Sequence, residues 1–183
     1  YFKTPFDRMF RKILVQDSVC ISSASENHLI DSKNVLSTKY IGKVLPECGI
    51  CIKIINIEKI IETNILEDCY MVKLITVILV YQPIKDELIE CTVKRQTENG
   101  LICDHPILGE ILIDKFFQNT TKQKITITNS TESTIFWLWQ YKNSKFLFKN
   151  HQNLRCKIYK INYNPFFINA RVDEMGLGSP EWW

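Results

Sequence analysis

Ten consecutive residues, Val72 to Tyr81, read Val-Lys-Leu-Ile-Thr-Val-Ile-Leu-Val-Tyr, and they narrow the possible folds more than any other segment. The run is about half of the ~20 apolar residues that span a bilayer, and Lys73 and Thr76 interrupt it, so it is no membrane helix. Its Val and Ile content suits an extended chain better than a surface helix. Tyr70 to Tyr81 therefore predicts a central strand covered on both faces. Gln82-Pro83 ends it, because proline brings no N–H to a sheet ladder.

A strand of this kind needs neighbours. Met9-Phe10 reads as a natural start, and residues 1–8 are set aside from the fold reading. Phe10 to Ile21 contains Ile13, Leu14, Val15, Val19, Cys20 and Ile21 and predicts a first strand. Ser22-Ser23-Ala24-Ser25-Glu26 supplies helix-cap chemistry, and Leu29, Ile30, Val35 and Leu36 follow at roughly helical spacing, for a helix of about three turns. Tyr40 to Leu45 and Ile50 to Ile57 flank Pro46-Glu47-Cys48-Gly49 and predict a hairpin. Glu58 to Asp68 reads as a loop.

From Asp86 onward short strands alternate with turn signals, the pattern of a small β-barrel. Ile89, Cys91 and Val93 face one way, and Glu90, Thr92 and Lys94 the other. Asn99-Gly100 marks a hairpin turn, Leu101 to Cys103 and Glu110 to Ile113 follow, and Gly109 sits at a bend or bulge. Further strands are expected at Thr134 to Tyr141, Lys145 to Lys149 and Leu154 to Ile161. In the last, Leu154, Cys156 and Ile158 oppose Arg155, Lys157 and Tyr159. The chain has 183 residues, enough for one medium or two small domains. Its 45% hydrophobic and 23% charged residues are those of a folded chain rather than a disordered one.

The net charge is only +3, but it is unevenly spread. Between Lys115 and Lys160 stand Lys115, Lys122, Lys124, Lys142, Lys145, Lys149, Arg155, Lys157 and Lys160 against the single acid Glu132. Phe116, Phe117, Phe136, Trp137, Trp139, Tyr141, Phe146, Phe148 and Tyr159 are interleaved with them. Single-stranded nucleic acid needs both features, cations for its phosphates and π-faces for its bases. The plain alternative is a solvated basic face over an aromatic core. In Phe136-Trp137-Leu138-Trp139-Gln140-Tyr141, period-two alternation sets Trp137, Trp139 and Tyr141 against Phe136 and Leu138, and both faces cannot be core in a small barrel. One of them is expected to be covered by another element, a partner or a ligand, or to stay exposed as an interaction site.

Nothing among the other chemistry-bearing residues argues for an enzyme. Seven scattered cysteines and the lack of a signal-peptide pattern suggest a reducing, intracellular compartment. The two sequons, Asn119-Thr120-Thr121 and Asn129-Ser130-Thr131, would matter only after secretion. Cys48-Gly49-Ile50-Cys51 is a lone CxxC that enters a strand, without the second ligand pair of a zinc site or the helix start of a redox motif. His28, His105 and His151 have no metal or nucleophile spacing, and no phosphate loop or nucleophile elbow occurs. No cofactor is expected.

The order of these elements coincides with a known family. Met9-Phe10, Gly49-Ile50-Cys51-Ile52, Val80-Tyr81-Gln82-Pro83-Ile84-Lys85-Asp86-Glu87, Gly109-Glu110-Ile111-Leu112-Ile113, Trp137-Leu138-Trp139-Gln140-Tyr141 and Gly176-Leu177-Gly178 through Trp182-Trp183 stand in the family's sequence. Over Met9 to Trp183 the chain resembles the larger stalk subunit of eukaryotic and archaeal RNA polymerases. Among the eukaryotic paralogues, the Trp-x-Trp strand and the Trp-Trp ending favour that of RNA polymerase III over that of RNA polymerase II. One departure is that Glu62 to Tyr70 has neither the Gly nor the Pro of the family's loop.

The resemblance implies an α+β fold, with an N-terminal α/β tip domain over residues 9–83 and a C-terminal OB-fold barrel with its tail over 84–183. It implies a non-catalytic, nuclear subunit that pairs with a smaller helical stalk subunit, docks on the polymerase core, meets initiation factors and touches nascent single-stranded RNA weakly, with no membrane partner. The RNA-contact residues expected are Lys94, Arg95, Trp137, Lys142, Lys145, Arg155, Lys157 and Tyr159. The partner-contact residues are Val80, Tyr81, Pro83, Trp182 and Trp183. The alternatives are a free-standing OB-fold RNA-binding protein and the stalk subunit of RNA polymerase II.

Overall fold

A computed structural model describes residues 9–24, 26–126 and 133–183. Residues 1–8, the cap candidate Ser25, the sequon Asn129-Ser130-Thr131 and the lone acid Glu132 lie outside the described residues. The chain forms two compact units that meet in sequence between Gln82 and Pro83.

The first unit is a four-stranded antiparallel sheet with one helix. β1 (Phe10–Ser22), α1 (His28–Tyr40), β2 (Val44–Leu45), β3 (Gly49–Ile65) and β4 (Cys69–Tyr81) follow in sequence, and the sheet order is β1-β4-β3-β2. The apolar run is thus the central strand β4. It is covered on one face only: Val72, Leu74, Thr76, Ile78 and Val80 are buried and the residues between them are half-exposed. Thr76, the polar break in the run, is satisfied in the core because its hydroxyl donates to the Asn56 carbonyl at 2.9 Å. The expected two-sided cover is absent because a helix of 13 residues packs on one side of strands as long as 17.

β3 extends through the segment that reads as a loop. Its register against β4 slips between Cys51 and Lys53, Ile54 and Asn56, Ile57 and Lys59, and Ile60 and Glu62. Three residues of β3 therefore face two of β4, four times over, and Cys51, Ile54, Ile57 and Ile60 stand opposite the core-facing residues of β4. Each bulge adds local twist. β1 pairs with the other side of β4 without a slip from Phe10↔Tyr81 to Ser22↔Cys69. At the start of β3, a Cβ on Gly49 would lie 2.2 Å from the Tyr81 carbonyl oxygen, and its φ of +114° suits glycine.

The helix is capped by Asn27, whose side chain accepts from the Ile30 N–H at 3.2 Å, rather than by the serine run before it. Leu36 is buried in the sheet-facing core with Val19, Ile21, Ile54, Leu74 and Ile78. Leu29, Ile30 and Val35 are exposed. Asp17 of β1 ties the end of the helix down, accepting from Lys39 Nζ at 2.6 Å and Tyr40 Oη at 2.7 Å. Burial opposes its charge, but these donors and the Ser18 N–H outweigh that and hold the Asp17 carboxyl below its usual range.

In the second unit β5 (Leu88–Thr97), β6 (Gly100–His105), β7 (Gly109–Phe116), β11 (Asn153–Tyr163) and β12 (Phe166–Val172) close a barrel in the order β5-β6-β7-β12-β11. β7 and β12 are parallel and the other neighbours antiparallel, which makes a Greek-key barrel. Ile89, Cys91, Val93, Leu154, Cys156 and Ile158 fill its interior. β8 (Thr120–Thr126), β9 (Ser133–Tyr141) and β10 (Ser144–Leu147) are not barrel strands. They form a separate three-stranded sheet, β10-β9-β8, inserted between β7 and β11.

The expected α+β class is therefore corrected. Strands take 63% of the residues and helix 10%, so the protein is mostly β with a closed five-stranded barrel, and an α/β tip domain is not present. The physical cause lies in β3, where repeated bulges turn an irregular-looking segment into strand. Cys20 and Cys69, diagonal across β1 and β4, are joined as a disulfide with Cα atoms 6.2 Å apart. Among the described residues no group of three or more His, Cys, Asp or Glu is placed to hold a metal ion, and no helix is long and apolar enough to cross a membrane.

Candidate nucleic-acid interface

Several aromatic residues of the second unit gather around Trp139 on one face of the inserted sheet. Alternation along β9 places Trp137 and Trp139 together, and the chain leaving β7 supplies a ring for each. Phe116 stacks on Trp137 with centroids 4.5 Å apart, and Phe117 on Trp139 at 4.0 Å. Trp139 is the hub, 3% exposed, with Tyr141 at 5.3 Å, Phe146 at 5.2 Å, Trp182 at 5.8 Å and Trp183 at 6.1 Å. The opposite face, with Phe136 and Leu138, stays half-exposed beside Leu147. Of the two faces of the Trp-x-Trp strand, the tryptophan face is the one that is covered, and the cover comes from within the unit.

The residues after β12 complete this cluster. Gly178 and Arg155 exchange two backbone hydrogen bonds of 2.8 Å, Leu177 is buried, and Pro180–Trp182 forms a 3-10 turn capped by Ser179. Trp182 sets its ring edge-on to Phe148 at 4.9 Å. The Trp183 indole N–H donates to the Leu177 carbonyl at 2.9 Å. Trp182 is half-buried and Trp183 is 51% exposed.

The eight expected RNA-contact residues fall into three settings. Four are cations beside carboxylates. Glu110 lies 2.8 Å from Lys94 and 3.7 Å from Arg95, Glu90 lies 3.2 Å from Arg155, and Glu174 lies 2.6 Å from Lys157. Two are aromatic rings already engaged. Trp137 is stacked on Phe116 and donates its indole N–H to the Thr97 carbonyl at 3.0 Å. The Tyr159 hydroxyl donates to the Asp114 carboxylate at 2.7 and 2.8 Å, and Lys115 Nζ covers the ring at 3.9 Å from its centroid. Burial, with the Asp114 hydrogen bond and charge, pushes the Tyr159 phenol up to about 12.

Lys142 and Lys145 make the third setting. They flank the turn joining β9 to β10, both are exposed, and among the described residues neither has a carboxylate within 4.0 Å. Lys142, at φ +52°, places its ammonium 5.2 Å from the centroid of Tyr141, which is 40% exposed. Tyr141 and Trp183 thus offer open ring surface on two sides of Trp139, with Lys142 next to the first and Lys145, paired with Gln140, on the other face of the hairpin. Tyr141 stands in the basic-aromatic stretch but outside the expected contact set. The signal that could have found it is its place on the tryptophan face, one residue before the turn.

Among the expected partner-contact residues, Val80 is 0% and Tyr81 2% exposed. The Tyr81 hydroxyl donates to Met9 Sδ at 2.8 Å and its ring meets Phe10 edge-on at 5.0 Å. Pro83 is also buried. Val80 and Tyr81 fill the core of the first unit at the end of its strand, and that unit carries outward apolar side chains at Leu14, Leu29, Ile30 and Val35. Inside the barrel, a sulfur hydrogen bond with Cys91 and, after it, burial push the thiols of Cys103 and Cys156 up, so they pack as neutral groups. No protein-family model and no curated protein matches the chain.

Proposed function

We propose that this chain is a non-catalytic stalk subunit of a DNA-directed RNA polymerase, of the RNA polymerase III type, and that its barrel unit contacts single-stranded RNA through the β9–β10 hairpin. The observation that carries the RNA contact is the exposed Tyr141 ring with the Lys142 ammonium over it at the hairpin turn, where neither Lys142 nor Lys145 has a carboxylate within 4.0 Å among the described residues. Stacking and phosphate neutralisation need that pairing of groups within reach of one strand. A small Greek-key barrel is a familiar carrier for such a surface. The polymerase assignment rests on the order of the motifs from Met9-Phe10 to Trp182-Trp183. Docking to a smaller helical subunit and to the core is supported by Leu29, Ile30 and Val35, exposed on the helix, since apolar surface of this kind marks interaction sites. In this reading the protein works in the nucleus, in initiation and in guiding nascent RNA.

Affinity purification of the tagged chain tests the assignment. Recovery of RNA polymerase III core subunits and one smaller partner is expected. Recovery of RNA polymerase II subunits would move the protein to that paralogue, and recovery of RNA without any polymerase subunit would make it a free-standing RNA-binding protein. Cross-linking of RNA to Tyr141 or Trp183 in the recovered complex is the separate check on the hairpin.

A further inference from the structure

We propose that Cys20 and Cys69 are a redox modification site, a reversible disulfide that locks the corner where the first strand turns into the helix. Four of the other five cysteines, Cys51, Cys91, Cys103 and Cys156, are buried, and the fifth, Cys48, is half-buried. Cys20 is exposed and Cys69 half-buried, so this pair combines solvent access with Cα atoms 6.2 Å apart, a separation that suits a disulfide. The register explains the meeting. Ser22 faces Cys69 and Cys20 faces Met71, so the two sulfurs lie on a diagonal of an unslipped antiparallel pair.

The bond sits at the end of the β1–β4 ladder, whose last pair is Ser22 and Cys69. Past Ser22 the chain leaves the sheet, the Ser23 N–H reaches the Asp68 carbonyl only at 3.4 Å, and the His28 ring lies 4.8 Å from that of Tyr70. The disulfide joins the end of β1 to the start of β4 and closes a loop of 49 residues. Exposed disulfides exchange with a thiol pool, whereas buried ones resist it. The step is a thiol–disulfide exchange with a small-molecule disulfide of the glutathione class. The exposed Cys20 thiolate attacks one sulfur of that disulfide and releases one glutathione thiolate. The Cys69 thiolate then attacks the Cys20 sulfur of the mixed disulfide and releases the second. Two electrons pass from the protein thiols to the small molecule, and two protons leave the protein.

The test uses the full chain equilibrated in mixtures of reduced and oxidised glutathione, with intact mass, differential alkylation and hydrogen exchange as readouts. Cys20 and Cys69 should lose reactivity together, with the loss of two hydrogens in mass. Reduction should raise exchange in peptides covering 18–24 and 66–72 on the order of tenfold or more. In Cys20→Ser and in Cys69→Ala the remaining thiol should carry a glutathione adduct, and exchange should no longer respond to the glutathione ratio. Independent alkylation of the two cysteines at every ratio, a lasting adduct on the unmodified chain, or equal exchange in both redox states would overturn the proposal.

Discussion

Two basic surfaces of the second unit look alike in sequence and differ in the fold. Arg155 and Lys157 on β11 alternate with buried residues, as cations on a binding strand would, but each has a carboxylate partner from another element, Glu90 or Glu174. Lys142 and Lys145 on the β9–β10 hairpin have none among the described residues, and Lys142 stands beside an open tyrosine ring. A paired cation must give up its partner before it can neutralise a phosphate, and a free one loses only water and counterions. Residue type along the chain therefore says less about nucleic-acid contact than the identity of the residue across the next strand.

The largest test of this contrast removes the support beneath the hairpin. Trp139→Ala should cost about 3–5 kcal/mol in denaturant unfolding, because Phe117, Tyr141, Phe146, Trp182 and Trp183 all lean on that ring. A loss below about 1 kcal/mol would mean that the cluster is not a built platform. Gly178→Ala comes next. Its φ is +87° and a Cβ would sit 2.6 Å from the Trp182 ring, so a cost of about 1–3 kcal/mol is expected, together with weaker protection of the Arg155 amide in hydrogen exchange.

At the level of binding, changing Lys142 and Lys145 to Ala should lower affinity for a uridine oligonucleotide several-fold and flatten the salt dependence by about 0.7 per removed phosphate contact. The double change at Arg155 and Lys157 should do clearly less. Equal effects would erase the distinction between the two surfaces. The smallest effect is a titration. With its phenol at about 12, Tyr159 stays protonated in the fold above the ordinary tyrosine value of about 10. Its raised value contributes stability that is fully present below about pH 10 and is lost as pH rises toward 12. Phenolate absorbance of the native chain and of Tyr159→Phe should therefore differ only at the alkaline end of the titration, and a difference near pH 10 would mean that Asp114 does not hold the hydroxyl.

The parts of this fold that follow period-two alternation are legible in the sequence. Ile89, Cys91 and Val93 point into the barrel, as do Leu154, Cys156 and Ile158, because each strand has one wet and one dry face. β3 is not legible by that rule. Its polar residues Lys53, Asn56, Lys59 and Glu62 recur every third position, with Ile54, Ile57 and Ile60 next to them in the same rhythm, a period that belongs neither to a regular strand nor to an α-helix. The inserted sheet reads as part of the barrel because its strands alternate equally well, and alternation does not say which sheet a strand joins. Glu90, Glu110 and Glu174 escape the local charge count since they lie outside the basic stretch and reach it only through strand register and the fold-back after β12.

The triplet rhythm of β3 also bears on how its length can change. In an ordinary strand the deletion of one residue flips every later side chain to the other face. Ile52, Ile55, Glu58 and Ile61 have no partner of their own in the β4 register, so removing any one of them would straighten one bulge and leave Ile54, Ile57 and Ile60 opposite the same core-facing residues. A strand usually among the least editable parts of a protein is here divided into small joints, each able to lose a residue without passing the error to the next.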